Sequence, residues 1–291
     1  KQVNSQAFTI AEDVSGLPGL AFPNQVEGVG FDYRMSMGVA DFWTKTLKEW
    51  ADEYWSPGDI FFRLTDKRPE EQVIAYAESH DQAMVGDQTF LSRMVGAEIY
   101  TAMRKDLATI GVQRAVALHK IIRLLTLSLA QGGYMNFMGN EFGHPEWIDF
   151  PLKGNDWSYL YARIQWNLST YENLVYSYLY LFDKDMINLV LEESILDYLP
   201  QVLEQNFQMQ VLAYSRGNYL FVANFSPQNS YTDYYVNCEK GKYTIVLNTD
   251  SEKFGGFSRI HTQCTYSNNG GGLSLYLPTR TMIVLRRSDE F

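Results

Sequence analysis

Two apolar runs in this chain end on carboxylates. The first is Phe8-Thr9-Ile10-Ala11-Glu12-Asp13-Val14-Ser15-Gly16, which turns sharply at Ser15-Gly16. The second is Val73-Ile74-Ala75-Tyr76-Ala77-Glu78-Ser79-His80-Asp81, with a histidine beside the final acid. Glycosidic-bond chemistry needs such groups: one carboxyl that keeps its proton for the leaving oxygen, and another that stabilises an oxocarbenium-like state. Glu12 follows Ile10-Ala11, apolar neighbours that favour a protonated carboxyl, and a nearby Asp81 would add like-charge repulsion. His80 would hydrogen-bond a sugar hydroxyl. On spacing alone, an acidic strand end reads more often as a cap or a surface charge.

Only a fold can bring Glu12 and Asp81 together. Residues 8–14 and 73–78 read as short buried strands, and Tyr134-Met135-Asn136-Phe137-Met138 as another. Residues 28–35 suggest a further strand. Between them, apolar residues at three- and four-residue steps predict helices over Val39–Tyr54, Gln88–Lys105 and Val112–Ala130, the last ended by Gly132-Gly133. Strand and helix alternate, so the expected class is α/β with a parallel sheet, and side chains at the C-terminal strand ends are the ones placed for chemistry. Ser169-Thr170-Tyr171-Glu172 reads as a capping box opening a long helix to about Leu189. The pattern then changes. Val211–Ser215 and Tyr219–Asn224 flank Gly217-Asn218 as a hairpin, and further short strands follow to Leu285. The expected division is residues 1–205, α/β, and 206–291, an antiparallel β-sandwich.

The totals exclude several classes. With 291 residues and 46% hydrophobic composition, a large core is available. No apolar run approaches the roughly 18 residues of a membrane span. A net charge of −10 argues against nucleic acid, whose binding needs clustered Lys and Arg. Aromatic residues reach 15%, which suits sugar platforms, although most such rings are core. Cys238 and Cys264 form no CxxC pair and read as free thiols of a reducing compartment, so a cytoplasmic location is expected. No metal cluster has usable spacing, and Gly270-Gly271-Gly272 is a turn rather than a phosphate cradle; no cofactor or metal is expected.

Longer motifs sharpen the reading. Thr9-Ile10-Ala11-Glu12-Asp13-Val14-Ser15-Gly16, Gly30-Phe31-Asp32-Tyr33-Arg34, Tyr76-Ala77-Glu78-Ser79-His80-Asp81-Gln82-Ala83 and Asn136-Phe137-Met138-Gly139-Asn140-Glu141-Phe142-Gly143-His144-Pro145-Glu146-Trp147 occur in that order. Phe182-Asp183-Lys184-Asp185-Met186 and Ser230-Tyr231-Thr232-Asp233-Tyr234 follow. Together they resemble the eukaryotic-type glycogen (1,4-α-glucan) branching enzymes of the α-amylase superfamily, over essentially the whole chain.

The resemblance implies the second half of a (β/α)8 TIM barrel followed by the C-terminal β-sandwich of amylase-like enzymes. It implies glucan chain transfer by a retaining mechanism, cleaving α-1,4 bonds and forming α-1,6 branches in glycogen or starch. Glu12 matches the family's general acid/base, Asp81 its transition-state stabiliser and His80 its sugar-binding histidine. Glu141 and Trp147 would line the glucan groove, with packing as the alternative role. The family's nucleophile is an aspartate in an Arg-x-Asp context on the preceding strand, and no such segment occurs here; Asp32 belongs to a different motif. The expected partners are an α-glucan and the missing N-terminal half of the same enzyme. A half-barrel leaves two unpaired sheet edges, so instability alone is expected. Two other readings stay open: a non-catalytic glucan-binding or assembly piece, and an amylase-like hydrolase.

Overall fold

The computed structural model describes residues 3–85, 88–145 and 149–288. Its first unit is built on four parallel strands in the order β1 (Ile10–Ala11), β2 (Tyr33–Met35), β3 (Val73–Ala75) and β4 (Gly132–Tyr134). Helices α1 (Met37–Glu49) and α2 (Pro57–Thr65) connect β2 to β3, and α3 (Phe90–Val95) and α4 (Ile110–Ser128) connect β3 to β4. Parallel neighbours require such crossovers. Helix α5 (Tyr176–Glu192) closes this unit. The alternation of strand and helix predicts this parallel sheet, and the partial barrel is the one that the resemblance implies.

The helices form where their apolar stripes can be buried. Along α4, Val112, Ala115, Leu118, Ile122 and Leu125 are fully enclosed, and Thr109 caps its first turn by accepting from Val112 N at 3.2 Å. Ser56 caps α2 in the same way, accepting from Asp59 N. Trp43 of α1 is buried and donates Nε1–H to Thr126 of α4 at 2.9 Å, which satisfies both polar groups in the core.

Several expectations are corrected. The first strand is two residues long rather than seven; Phe8 and Val14 are exposed and make no ladder. The stretch from 88 to 105 is not one helix, because α3 stops at Gly96 and tight 3₁₀ turns follow. Gly132 and Gly133 do not end α4. They are β4 itself, and a Cβ at Gly132 would lie 2.5 Å from the Val73 carbonyl oxygen, so close strand approach requires the glycine. The capping box at Ser169 is absent: Ser169 donates to the Trp166 carbonyl in a 3₁₀ turn, and α5 starts at Tyr176.

The second unit is antiparallel. A six-stranded sheet has the order β10 (Thr265–Asn268), β9 (Gly241–Asn248), β12 (Thr281–Ser288), β7 (Tyr219–Asn224), β6 (Val211–Arg216) and β5 (Gln201–Asn206). A two-stranded sheet pairs β11 (Leu273–Leu277) with β8 (Tyr231–Val236). One apolar core lies between these sheets, around Val211, Val222, Leu273, Leu275 and Ile283. The opposite face of the large sheet, including Leu212, Tyr214, Phe221 and Val284, joins the core of the helices. The two units therefore share an apolar core.

A buried acid clamps that interface. Asp52, between α1 and α2, accepts from Arg114 of α4 at 2.7 and 3.0 Å and from Arg280 before β12 at 2.5 Å. Its backbone carbonyl accepts from Gln210 at 2.7 Å. Burial raises the Asp52 carboxyl, but the hydrogen bonds and charges of the two arginines outweigh it and hold the group below its ordinary value. The carboxylate therefore contributes stability above pH 3.8, and that contribution is lost as pH falls below it. Asp52→Ala is expected to cost about 2–3 kcal/mol in urea denaturation, below the full cost of an orphaned buried charge because both arginines reach solvent. A loss under about 0.5 kcal/mol would show that the clamp does not join the units.

Candidate active site

Glu12, His80 and Asp81 come together at the C-terminal ends of β1 and β3. Their nearest donor atoms all lie within 4.8 Å of one another. Glu12 follows β1 directly. His80 and Asp81 follow β3, where Asp81 opens a five-residue π-type turn, a form often found at functional sites. His80 Nε2 lies 3.2 Å from Asp81 Oδ1, and the His80 ring stands 5.9 Å from Phe137. Glu12 is exposed, and Ile10 beside it is exposed as well. The apolar shelter expected for Glu12 is therefore not there. Among the described residues, this trio is also the one group of acids, histidines and cysteines close enough to share a metal ion.

The loop that carries Glu12 is pinned by arginines. Arg34 of β2 donates to Asp13 at 3.2 Å, to Glu71 at 3.2 Å and to the Leu17 carbonyl at 2.9 Å. Arg68 donates to the Gly16 and Leu17 carbonyls at 2.7 and 3.0 Å. A hydrogen bond from Ser15, 2.6 Å long, is the main reason that the Asp13 carboxyl sits below its ordinary value. These contacts fix the turn after Glu12 without touching Glu12 itself.

Other neighbours of the trio were not singled out by sequence. Tyr76 is buried beneath it, and burial, then the charges of Asp41, Asp81 and Glu12, push its phenol well above the ordinary range. Its hydroxyl therefore stays protonated. Gln82 accepts from the Ser79 N–H and hydroxyl, both at 3.1 Å, and donates to Asp41 at 3.2 Å. That chain braces the turn holding Asp81. Both residues lie inside the Tyr76–Ala83 motif, which was the available signal.

Below the site lies a buried ionic cluster. Arg123 of α4 is within 3.7 Å of Glu78 and 3.6 Å of Asp183, and donates to Asn136 at 2.5 Å. Asn136 donates to Asp183 at 2.9 Å, and Glu78 accepts from Phe90 N at the start of α3 at 2.8 Å. Burial pushes Glu78 up to about 7 and Asp183 up to about 6. Glu141 belongs with this group: burial raises its carboxyl, and the Arg123 charge acts against that rise. The structure thus sets Glu141 among the cluster's charges, which fits the packing alternative. Its turn is steadied by His119, whose Nε2–H donates to the Asn140 carbonyl at 3.1 Å; burial and the charge of Arg123 keep that ring neutral. Trp147 lies outside the described residues. Cys238 and Cys264 are both free thiols.

A partial parallel barrel with carboxylates at its C-terminal mouth and an antiparallel sandwich behind it defines an amylase-like fold. Residues 204–288 match the α-amylase C-terminal all-β domain. Two solved structures share the fold: a Thermus thermophilus protein, with TM-score 0.59 and 19% identity over 99% of this chain and 54% of that one, and the α-amylase of H. orenii, with TM-score 0.55 and 13% identity over 97% and 53%. More particularly, the chain is similar to a C-terminal part of the eukaryotic 1,4-α-glucan-branching enzymes. It is 45% identical to that of Rhizophagus irregularis over 96% of this chain, 46% to that of Eremothecium gossypii over 98%, and 44% to that of Felis catus over 97%. In each case it spans 42% of the relative's length.

Proposed function

We propose that this chain supplies the acid/base half of a glucan chain-transfer site. The reaction is a retaining double displacement. A carboxylate nucleophile attacks the anomeric carbon of an α-1,4 bond while Glu12 protonates the departing oxygen. Glu12 then deprotonates the 6-hydroxyl of an acceptor glucan, which takes the chain as an α-1,6 branch. Asp81 stabilises the positive charge that develops on the ring and, with His80, holds sugar hydroxyls. Glu141, among the charges of the buried cluster, takes the packing role, and Trp147 is given the glucan-contacting role that the resemblance implies.

The observation that carries this reading is the meeting of Glu12, His80 and Asp81 within 4.8 Å. Retention or inversion is set by the distance from Glu12 to the nucleophile, so the retaining course of this proposal rests on the resemblance. The nucleophile is to come from sequence outside these 291 residues, as in the resemblance. Among the described residues, β1 and β4 each have a sheet partner on one side only, which suits docking of further barrel strands supplied by the rest of the same enzyme. The reading also takes glycogen or starch as the polymer. The cytoplasm is the proposed location, in keeping with two free thiols; no described helix is long and apolar enough to cross a membrane.

The test is to incubate the intact polypeptide with amylose. Branching predicts loss of iodine colour with no matching rise in reducing ends. A matching rise would assign an amylase-like hydrolase instead, and glycogen binding without either change would assign a binding piece.

A further inference from the structure

We infer that a groove along α1 and α2 is a second glucan-binding site, separate from the cleavage site; the inference rests on the α-glucan reading above. The groove encloses about 670 Å³. It runs from Asp41 on α1 past Trp50 and Tyr54 to Asp59 on α2, and Phe207 of the β5–β6 turn overhangs it. Three of its rings stand in solvent: Trp50 is 55% exposed, Tyr54 65% and Phe207 61%. Such grouping of large rings at a surface marks a binding site rather than ordinary exposure.

The floor supplies an independent observation. Trp55 lines the groove, is only 2% exposed, and its indole Nε1–H has no acceptor among the described residues. A buried N–H without an acceptor is unfavourable, and a sugar oxygen that reached the floor would pair it. Around it, Asp41, Asp59 and Ser56 offer acceptors, and Lys45 and Arg63 offer donors. Aromatic faces beside mixed donors and acceptors suit a sugar, whose rings present C–H faces and whose hydroxyls both donate and accept.

The position selects a glucan rather than a protein partner. At one end, Asp41 accepts from Gln82, which braces the turn holding Asp81. Asp41 and Trp50 sit nine residues apart along and just past α1, about 14 Å at helical rise. A chain of several glucose units lying in the groove would therefore begin beside the cleavage site. Holding a polymer at a second point raises its local concentration at the first.

The experiment uses the intact polypeptide with Glu12→Gln, so that bound glucan is not turned over. Maltoheptaose and amylose binding are measured by calorimetry and affinity electrophoresis. Combined Trp50→Ala and Tyr54→Ala are expected to weaken amylose binding about tenfold, and Trp55→Phe, which keeps a ring and removes the N–H, to weaken it about threefold. In the active protein the double variant should raise KM for amylose by a similar factor. Because Trp50 and Tyr54 are exposed, an unchanged melting curve confirms intact folding. Amylose binding within twofold of the parent overturns the proposal. So does loss of self-association in the double variant with glucan binding intact, which would make the groove an interface between copies. If the parent binds neither glucan, the glucan reading itself fails, and the groove proposal falls with it.

Discussion

Glu12→Gln is expected to lower turnover on amylose by about a hundred- to ten-thousandfold, the usual contribution of a positioned general acid and base. Glutamine keeps the size and a hydrogen-bonding end, but it can neither release nor take up a proton. Sugar binding should survive, because Arg34 and Arg68 hold the turn after Glu12 and neither contacts its side chain. The expected signature is therefore a fallen kcat with Kd for maltoheptaose within about threefold of the parent. A rate within tenfold of the parent would remove Glu12 from the acid/base role.

Arg123→Met should carry the largest stability loss. Arg123 is buried between Glu78 and Asp183, which lie 3.7 and 3.6 Å away. Removing it leaves Glu78 and Asp183 without the cation they face, a change that typically costs about 3–5 kcal/mol. The loss must depend on pH. Glu78 and Asp183 have folded values near 7 and 6, above their ordinary 4.5 and 3.8. A raised carboxyl binds its proton more tightly in the folded state, so its stability contribution is full at low pH and is lost as pH rises through the folded value. Without Arg123 those folded values rise further. Urea denaturation should thus show a larger deficit at pH 8 than at pH 5, where the acids can take protons. An equal deficit at both pH values would mean that the loss comes from packing alone.

The residues proposed to carry the reaction were more legible in the sequence than the elements that hold them. Glu12, His80 and Asp81 were singled out by the motif resemblance, since spacing alone favoured a cap or a surface charge; they meet because a parallel sheet gathers its C-terminal strand ends on one side. Strand length was not legible. Phe8 and Val14 extend the apolar run on either side of β1, yet only Ile10 and Ala11 pair with β2. Gly132-Gly133 looked like a helix stop because both a C-cap and a crowded strand ask for glycine; only the nearness of Val73 separates the two. The Glu78–Arg123–Asp183 cluster was hidden for a different reason. Its members come from the end of β3, from α4 and from α5, and no spacing rule links three elements. The groove at Trp50 was invisible too, since it needs the β5–β6 turn laid across α2.

The acid role of Glu12 is tested most directly by comparing two donors with the Glu12→Gln variant of the intact polypeptide. A glycosidic oxygen leaves poorly without a proton, whereas fluoride leaves α-maltosyl fluoride with little help. The account predicts a first-step rate on amylose reduced at least a hundredfold, alongside a fluoride burst within a few-fold of the parent. Equal slowing of both donors would contradict it, because the damage would then lie in binding or folding and not in proton transfer.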